Sequence, residues 1–539
     1  MRRNGQRIGT WLCAGFAAVA VLTACQGEPE APLEFAGPED GTLFNADTLG
    51  EAAWEVSSDD GVPETVGFVL DAHAVDADRD AGTLRWSPDT LDDGEYHLAV
   101  QRTPVETDDE AAEPEVLHEW RFAVDATPPE IELISPDSAV VAGEPVVVAG
   151  TTEPGAAVTV ADQETTADQD GGFELELTDA PEGELQIVAV DAAGNSSDDA
   201  FTLVTVPSRV EVDLVRSVHV TPHAWATPSF RERILAMVDD GIINSIALTL
   251  KDEGGRIGWN SEVELAIESG ANEGVYDLEE TIAFLHERGI HVAGRIVAFR
   301  DPKLGPWARD NGHLDWLVQT TDGEPYTGRY ECCFTNFSHP DVIEYNLAIA
   351  EEAARAGVDD ILWDYIRKPD GPRANLVLEG IPNDEPLEPA IIEFTRLADE
   401  RLSKYGVRHG ASLYGIAADR PTQIAQDVPG MSQYLDYVAP MIYPSHWGPG
   451  EYGVADPNRQ PYDIIDATLQ VWKAQVEGTD TRIVPWLEDT TYRAWDRPHQ
   501  VREQIRAARD QGVEEFLMWD PGVRYTPDAY DTIPQGRDE

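Results

Sequence analysis

The stretch VIEYNLAIAEEAARAGVDDILWDYIR, residues 342–367, changes its period at a single glycine. Before the glycine, Val342, Tyr345 and Ile349 recur at helical spacing, and SHPD (Ser338–Asp341) reads as a capping sequence with an early proline. Gly357 stands where a helix needs a left-handed C-terminal residue. After it comes a nearly continuous apolar run, as expected of a parallel strand covered by helices on both faces. The run then turns polar at Asp364, Tyr365, Arg367 and Lys368, where apolar side chains should continue.

The same grammar recurs along the chain. RERILAMVDDG leads into IINSIALTLKD (231–252), and LEETIAFLHERG into IHVAGRIVAF (278–299). FTRLADERLSKYG leads into VRHGASLYG (394–415), and VREQIRAARDQG into VEEFLMWD (501–520). Gly241, Gly289, Gly406 and Gly512 are the hinges. RSVHVTP, DYVAPMIYP and TRIVPWLED bring the total to about eight strands, which predicts a (β/α)8 TIM barrel over residues 212–530. An open doubly wound sheet is the alternative. No G-x-G-x-x-G follows the first strand, so a dinucleotide role is unsupported, and no cofactor is expected.

Upstream the pattern is all-β. EYHLAV, HEWRFAV, EPVVVAGTT and ELQIVAV alternate as strands do, with turns such as DDGE and DQDGG between them. VDATPPEIELISP (Val124–Pro136) divides this region into two sandwich-sized units, 33–126 and 127–207. Both resemble bacterial immunoglobulin-like domains, and neither carries a catalytic cluster.

The first 24 residues have signal-peptide anatomy: Arg2, Arg3 and Arg7, then a short apolar run from Trp11 to Ala24. The run ends in LTAC (Leu22–Cys25), which resembles a bacterial lipobox. That resemblance implies lipidation of Cys25, a tether over 25–32, and a lipoprotein held at the outer face of the cytoplasmic membrane in the cell envelope. Only Cys332 and Cys333 then remain, either as a vicinal disulfide or as thiols. The formal charge of -63, with 101 acidic against 38 basic residues, repels nucleic acid and anionic surfaces. A monomer is expected.

Active sites of such barrels lie at the C-terminal ends of the strands. Those ends carry Thr221 and His223, Lys251 and Asp252, Arg295 and Arg300, Asp364, Tyr365 and Arg367. Ser412 and Tyr414, Tyr443 and His446, Trp486, Glu488 and Asp489, and Trp519 and Asp520 follow. Carboxylates beside aromatic platforms suit glycoside hydrolysis, in which one acid protonates the leaving oxygen and a second attacks or activates water. Asp364 interrupts an apolar strand, and burying an acid is costly, so it is the first catalytic candidate. Leu362, Asp364 and Ile366 share one strand parity, and Trp363 and Tyr365 share the other. Glu488 and Asp489 are adjacent and cannot both point inward. No His/Asp cluster at ligand spacing supports a metal site.

LTLKDEGGRIGW (248–259), GIHVAGRIVAFRDPKLG (289–305), DDILWDYIRKPDG (359–371), YVAPMIYPSHWGPGEYG (437–453), IVPWLEDTTY (483–492) and MWDPGVRYT (518–526) resemble a glycoside-hydrolase-like TIM-barrel family, formerly a domain of unknown function. The resemblance implies a surface-anchored glycoside hydrolase acting on an extracellular or cell-wall polysaccharide. A non-catalytic carbohydrate-binding barrel is the alternative. The family's Lys-Asp, Asp-Tyr-Ile-Arg and Tyr-Pro-Ser-His motifs match Lys251–Asp252, Asp364–Arg367 and Tyr443–His446. Its Gln-Asp pair falls on Glu488–Asp489, which favours Asp489 as the partner acid. The expected substrate-binding set is Lys251, Asp252, Arg295, Tyr365, Arg367, Tyr443, His446, Trp486, Trp519 and Asp520. Ser412 stands where the family often has an Asp.

Overall fold

The computed structural model describes residues 31–104, 113–178, 183–328 and 332–533. The signal segment, Cys25 and most of the tether lie outside the described residues. No helix among the described residues is long and apolar enough to cross a membrane.

The first β-region folds as a four-stranded sheet facing a five-stranded one. Alternate residues point inward and enclose Phe44, Trp54, Phe68, Trp86, Trp120 and Phe122. One short helix, Ala46–Glu51, breaks the all-β expectation; Asn45 and Thr48 close a reciprocal capping box at its start. The second region packs a three-stranded sheet on a four-stranded one around Val148, Val158, Val160, Phe173 and Ile187. This region closes with a parallel pairing of Val140–Val141 and Thr205–Val206. Val206 enters the core of the third region, and Arg209 donates to the carbonyls of Ala354, Val358 and Tyr405, fastening the linker to that region's base.

That third region is a closed parallel barrel. Its strands are β1 (Arg216–Val220), β2 (Ser245–Lys251), β3 (His291–Val297), β4 (Asp360–Asp364), β5 (Arg408–Tyr414), β6 (Tyr437–Met441), β7 (Trp486–Glu488, continuing Arg482–Ile483) and β8 (Phe516–Trp519). β8 pairs with β1, closing the ring. Its helices are α1 (Pro228–Asp239), α2 (Leu278–His286), α3 (Pro340–Arg355), α4 (Glu388–Leu402), α5 (Pro461–Gln475) and α6 (Arg497–Asp510). A single turn, Val428–Met431, replaces the helix after β5. All five hinge glycines have φ between 63° and 94°, as the pattern required. At α3 the cap is His339 rather than Ser338, with Pro340 as the first helical residue.

The strands are buried on both faces, so each side chain belongs to one of two cores. Leu362 joins Ala247, Ala439, Trp486 and Leu517 inside the barrel. Trp363 faces out and meets Phe394 of α4 at 4.9 Å between ring centroids. The expected parity holds as far as Asp364. Tyr365 then adopts φ 55°, a left-handed conformation costly for a non-glycine residue. The turn breaks the alternation: Ile366 joins the outer core and Tyr365 lines the barrel mouth.

Candidate active site

The strand ends open into a pocket of about 400 Å³. Its floor and walls are aromatic: Tyr365, Tyr414, Tyr443, Trp447, Trp486 and Trp519. Tyr443 stacks on Trp519 at 5.1 Å, and the Trp486 indole donates to Ser412 Oγ at 2.9 Å. Three lining residues carry a carboxyl or guanidinium group: Glu253, Arg295 and Asp364.

Arg295, from β3, joins the two carboxylates. Its Nε donates to Asp364 Oδ2 at 2.9 Å and its Nη2 to the same oxygen at 2.6 Å. Nη2 also donates to Glu253 Oε1. Asp364 Oδ1 accepts the Tyr365 amide at 2.7 Å, a bond made possible by the left-handed turn there. The two acids sit in unlike surroundings. The Asp364 side chain is 7% exposed and that of Glu253 43%. Burial raises the Asp364 pKa, and the neighbouring Glu253 charge adds to that. Glu253 carries its own burial penalty, but the Arg295 guanidinium outweighs it and holds the carboxyl down to about 2. Two carboxylates sharing one cation cannot both be fully compensated, so the more buried one has its proton affinity raised and the other has it lowered.

Residues 217–525 match the family described as "Putative glycosyl hydrolase domain". The chain belongs to this family. Residues 134–207 match a bacterial Ig domain. No curated protein matches the chain. Among solved structures, a hypothetical protein from Ruminiclostridium thermocellum is 26% identical, covers 36% of this chain and 96% of its own, and has a TM-score of 0.32. The glycoside hydrolase domain of PgaB (BpsB) from Bordetella bronchiseptica is 17% identical over 57% of this chain and 95% of its own, with a TM-score of 0.40. The spore cortex-lytic enzyme SleL from Bacillus cereus is 13% identical over 63% of this chain and 77% of its own, with a TM-score of 0.35.

In this glycosyl hydrolase family member the structure gathers Asp364, Arg295, Tyr365, Tyr443, His446, Trp486 and Trp519 around one pocket. The other expected site residues lie elsewhere. The register of β2 against β3 slips between Thr249 and Lys251, a bulge that reverses the side-chain alternation. Lys251 therefore points out to α3, where its Nζ meets Asp301 at 2.7 Å and Asn346 at 2.9 Å, at 0% exposure. Asp252 folds the following turn by accepting from the Gly254 and Arg256 amides and pairing with the Arg256 side chain. Glu253 reaches the pocket from that turn, beyond the end of β2. The motif drew attention to Lys251 and Asp252, and the acid next to them went unnoticed. Arg367 is 1% exposed behind the wall, with its guanidinium 5.0 Å from the Tyr365 ring and 4.5 Å from that of Tyr414. It braces two lining aromatics instead of touching a ligand.

Strand β7 corrects the choice between its two acids. Trp486 points into the barrel and Leu487 outward, so Glu488 turns inward and Asp489 away. Asp489 is fully buried, accepting from Thr526, Tyr530 and Arg497 and tying the C-terminal segment to the barrel. Glu488 lies behind the pocket wall, bonded to Ser445. Asp520 accepts the Arg524 amide at 2.8 Å and shapes the turn after β8. Ser412 fixes Trp486 where the resemblance set an acid. Cys332 and Cys333 are joined as a vicinal disulfide. Among the described residues one trio of metal-capable groups occurs, Asp125, Glu153 and Asp191, all in the β-sandwich part of the chain.

Proposed function

We propose that this protein is a glycoside hydrolase that cleaves a polysaccharide with Asp364 as proton donor and Glu253 as nucleophile. The supporting observation is the pair of acids held by one arginine in an aromatic pocket. The raised pKa of Asp364 makes it the better proton donor of the two, and the depressed pKa of Glu253 favours the charge needed at the anomeric carbon. Both acids accept from Arg295 Nη2, so their nearest oxygens lie within two hydrogen-bond lengths, about 5.5 Å. That upper bound falls short of the roughly 6.5–9.5 Å of an inverting pair, which favours retention. Tyr443, Trp486 and Trp519 offer flat faces to sugar rings, and Arg295 steadies the charge that moves between the acids.

Lipidation at Cys25 would hold the enzyme at the outer face of the membrane, where cell-wall and extracellular glycans are its substrates. The acidic chain acts there as a monomer and does not bind nucleic acid.

The test is incubation of the full chain with bacterial exopolysaccharides and cell-wall glycans, reading new reducing ends and, by NMR, the anomer released first. A retained anomer supports Glu253 as nucleophile. Binding without any new reducing end would instead establish the carbohydrate-binding alternative.

A further inference from the structure

A chain of short contacts runs from behind the pocket wall to its surface. The Ser445 amide donates to Glu488 Oε1 at 2.7 Å, and its hydroxyl lies 2.5 Å from Oε2. The same hydroxyl lies 3.0 Å from Nδ1 of His446. Ser445 is 1% exposed and Glu488 6%, so both are shielded, whereas the His446 ring lines the pocket. That ring is framed by Tyr443 at 5.3 Å, Tyr492 at 5.9 Å and Trp519 at 6.2 Å. Arg493 holds the segment by donating to the Ser445 carbonyl at 3.0 Å.

We propose that Glu488, acting through the Ser445 hydroxyl, sets the tautomer of His446 and so decides whether Nε2 offers a proton or a lone pair to a sugar hydroxyl in the pocket.

The reasoning is proton counting. A serine hydroxyl has one hydrogen, and here it has two neighbours able to accept it. When Glu488 is ionised the hydrogen goes to the carboxylate. His446 Nδ1 must then donate to Oγ, and Nε2 carries the lone pair. When Glu488 is protonated, the proton sits on Oε2, because Oε1 already accepts an amide. The carboxyl then donates to Oγ, the hydroxyl donates to Nδ1, and the ring keeps its proton on Nε2. Passing from the second state to the first, the Glu488 proton moves to Oγ and the hydroxyl proton to Nδ1. The Nε2 proton leaves to solvent, so one proton is lost in all.

The surroundings place this exchange near neutrality. Burial pushes Glu488 up to about 7, against the Ser445 hydrogen bonds and the Arg493 charge. Among the described residues Tyr443 also feels the Glu488 charge, while Gln504 of α6 and Trp519, its partner on β8, are neutral. Burial and Arg493 lower the His446 pKa, which favours the neutral ring. The Glu488 pKa is raised, so its proton is present below about pH 7 and lost above it. His446 therefore presents N–H on the acid side and a lone pair on the alkaline side. Glu488 and Ser445 are positioning residues. The consequence for catalysis rests on the proposed glycan site; the tautomer itself does not.

The experiment is a pH series of 15N spectra on the full chain labelled at its histidine ring nitrogens, with His446 assigned by its loss in His446→Gln. In the wild type, Nε2 should pass from protonated to unprotonated across about pH 6–8. In Glu488→Gln the side-chain amide donates to Oγ at every pH, so Nε2 should stay protonated on the alkaline side. Ser445→Ala should leave a tautomer mixture that does not respond to Glu488. A wild-type His446 with one tautomer throughout, or a Glu488→Gln spectrum matching wild type on the alkaline side, overturns the proposal. No substrate is needed, so failure to find a cleavable glycan leaves this result standing.

Discussion

Lys251→Met separates a structural lysine from a substrate-binding one. Lys251 and Asp301 pair at 2.7 Å with both side chains at 0% exposure, and the Lys251 ammonium also lies 4.7 Å from the centre of the Tyr345 ring. Removing one partner of such a pair strands a charge in the core, at a cost of about 3–5 kcal/mol. The family match spans residues 217–525, and unfolding entropy of about 2.1 cal/mol/K per residue over that length gives roughly 0.65 kcal/mol/K. The barrel transition should then fall by about 5–8 °C. It is read by calorimetry of the full chain, as the shift of the transition that Lys251→Met moves, because Trp54, Trp86 and Trp120 make tryptophan fluorescence report the first sandwich as well. Adding Asp301→Asn removes the stranded charge and should restore about half of the loss, a coupling that only a contacting pair shows. Asp252→Asn, at a surface turn, should shift the transition by about 1 °C or less. A Lys251→Met barrel that melts within about 1 °C of wild type but no longer retains glycan would refute the argument and return Lys251 to the pocket.

Other predictions follow from the same geometry. Arg295→Met removes the cation that keeps Glu253 near 2, so the acid limb of kcat/KM should move up by about two pH units; an unmoved limb means that Glu253 is not the charged group. The sign follows because a depressed carboxylate loses its charge only as pH falls through its lowered pKa, and freeing it raises that pKa. Asp489→Asn should lower stability by about 2–4 kcal/mol, by unpairing Arg497 and loosening Thr526 and Tyr530, with the pH profile unchanged. Loss of turnover with an unchanged melting temperature would instead make Asp489 catalytic. Trp486→Phe keeps a ring but drops the bond to Ser412, so KM should rise several-fold while kcat holds; equal loss in both would place Trp486 in the chemical step.

The barrel was legible because its signals are local and repeated. A glycine after each amphipathic run and an apolar run after each glycine need no tertiary knowledge, and every hinge took the left-handed conformation that the pattern demanded. Asp364 was legible for a related reason: an acid at the end of an apolar strand must be explained by its surroundings. Parity also separated Leu362 from Trp363 correctly.

What stayed hidden depends on single-residue shifts in register. A strand's side chains alternate, so one extra residue exchanges inside for outside. The bulge before Lys251 did this, sending the lysine to α3, while Glu253 enters the pocket from the turn beyond the strand. The left-handed turn at Tyr365 did it again, giving the pocket a tyrosine that parity had assigned to the helices. Neither shift follows from hydrophobicity, because every residue of β2 and β4 is buried on either face. At β7, where no shift intervenes, simple alternation from Trp486 already sends Glu488 inward and Asp489 outward. The resemblance pointed to Asp489 there, but a family motif carries position and not direction. Once the registers are applied, the candidate catalytic pair comes from two loops that are far apart in sequence and meet on one arginine. Arg295 thus does for Glu253 and Asp364 what neither strand end does alone: it brings both acids to one point and gives them different affinities for a proton.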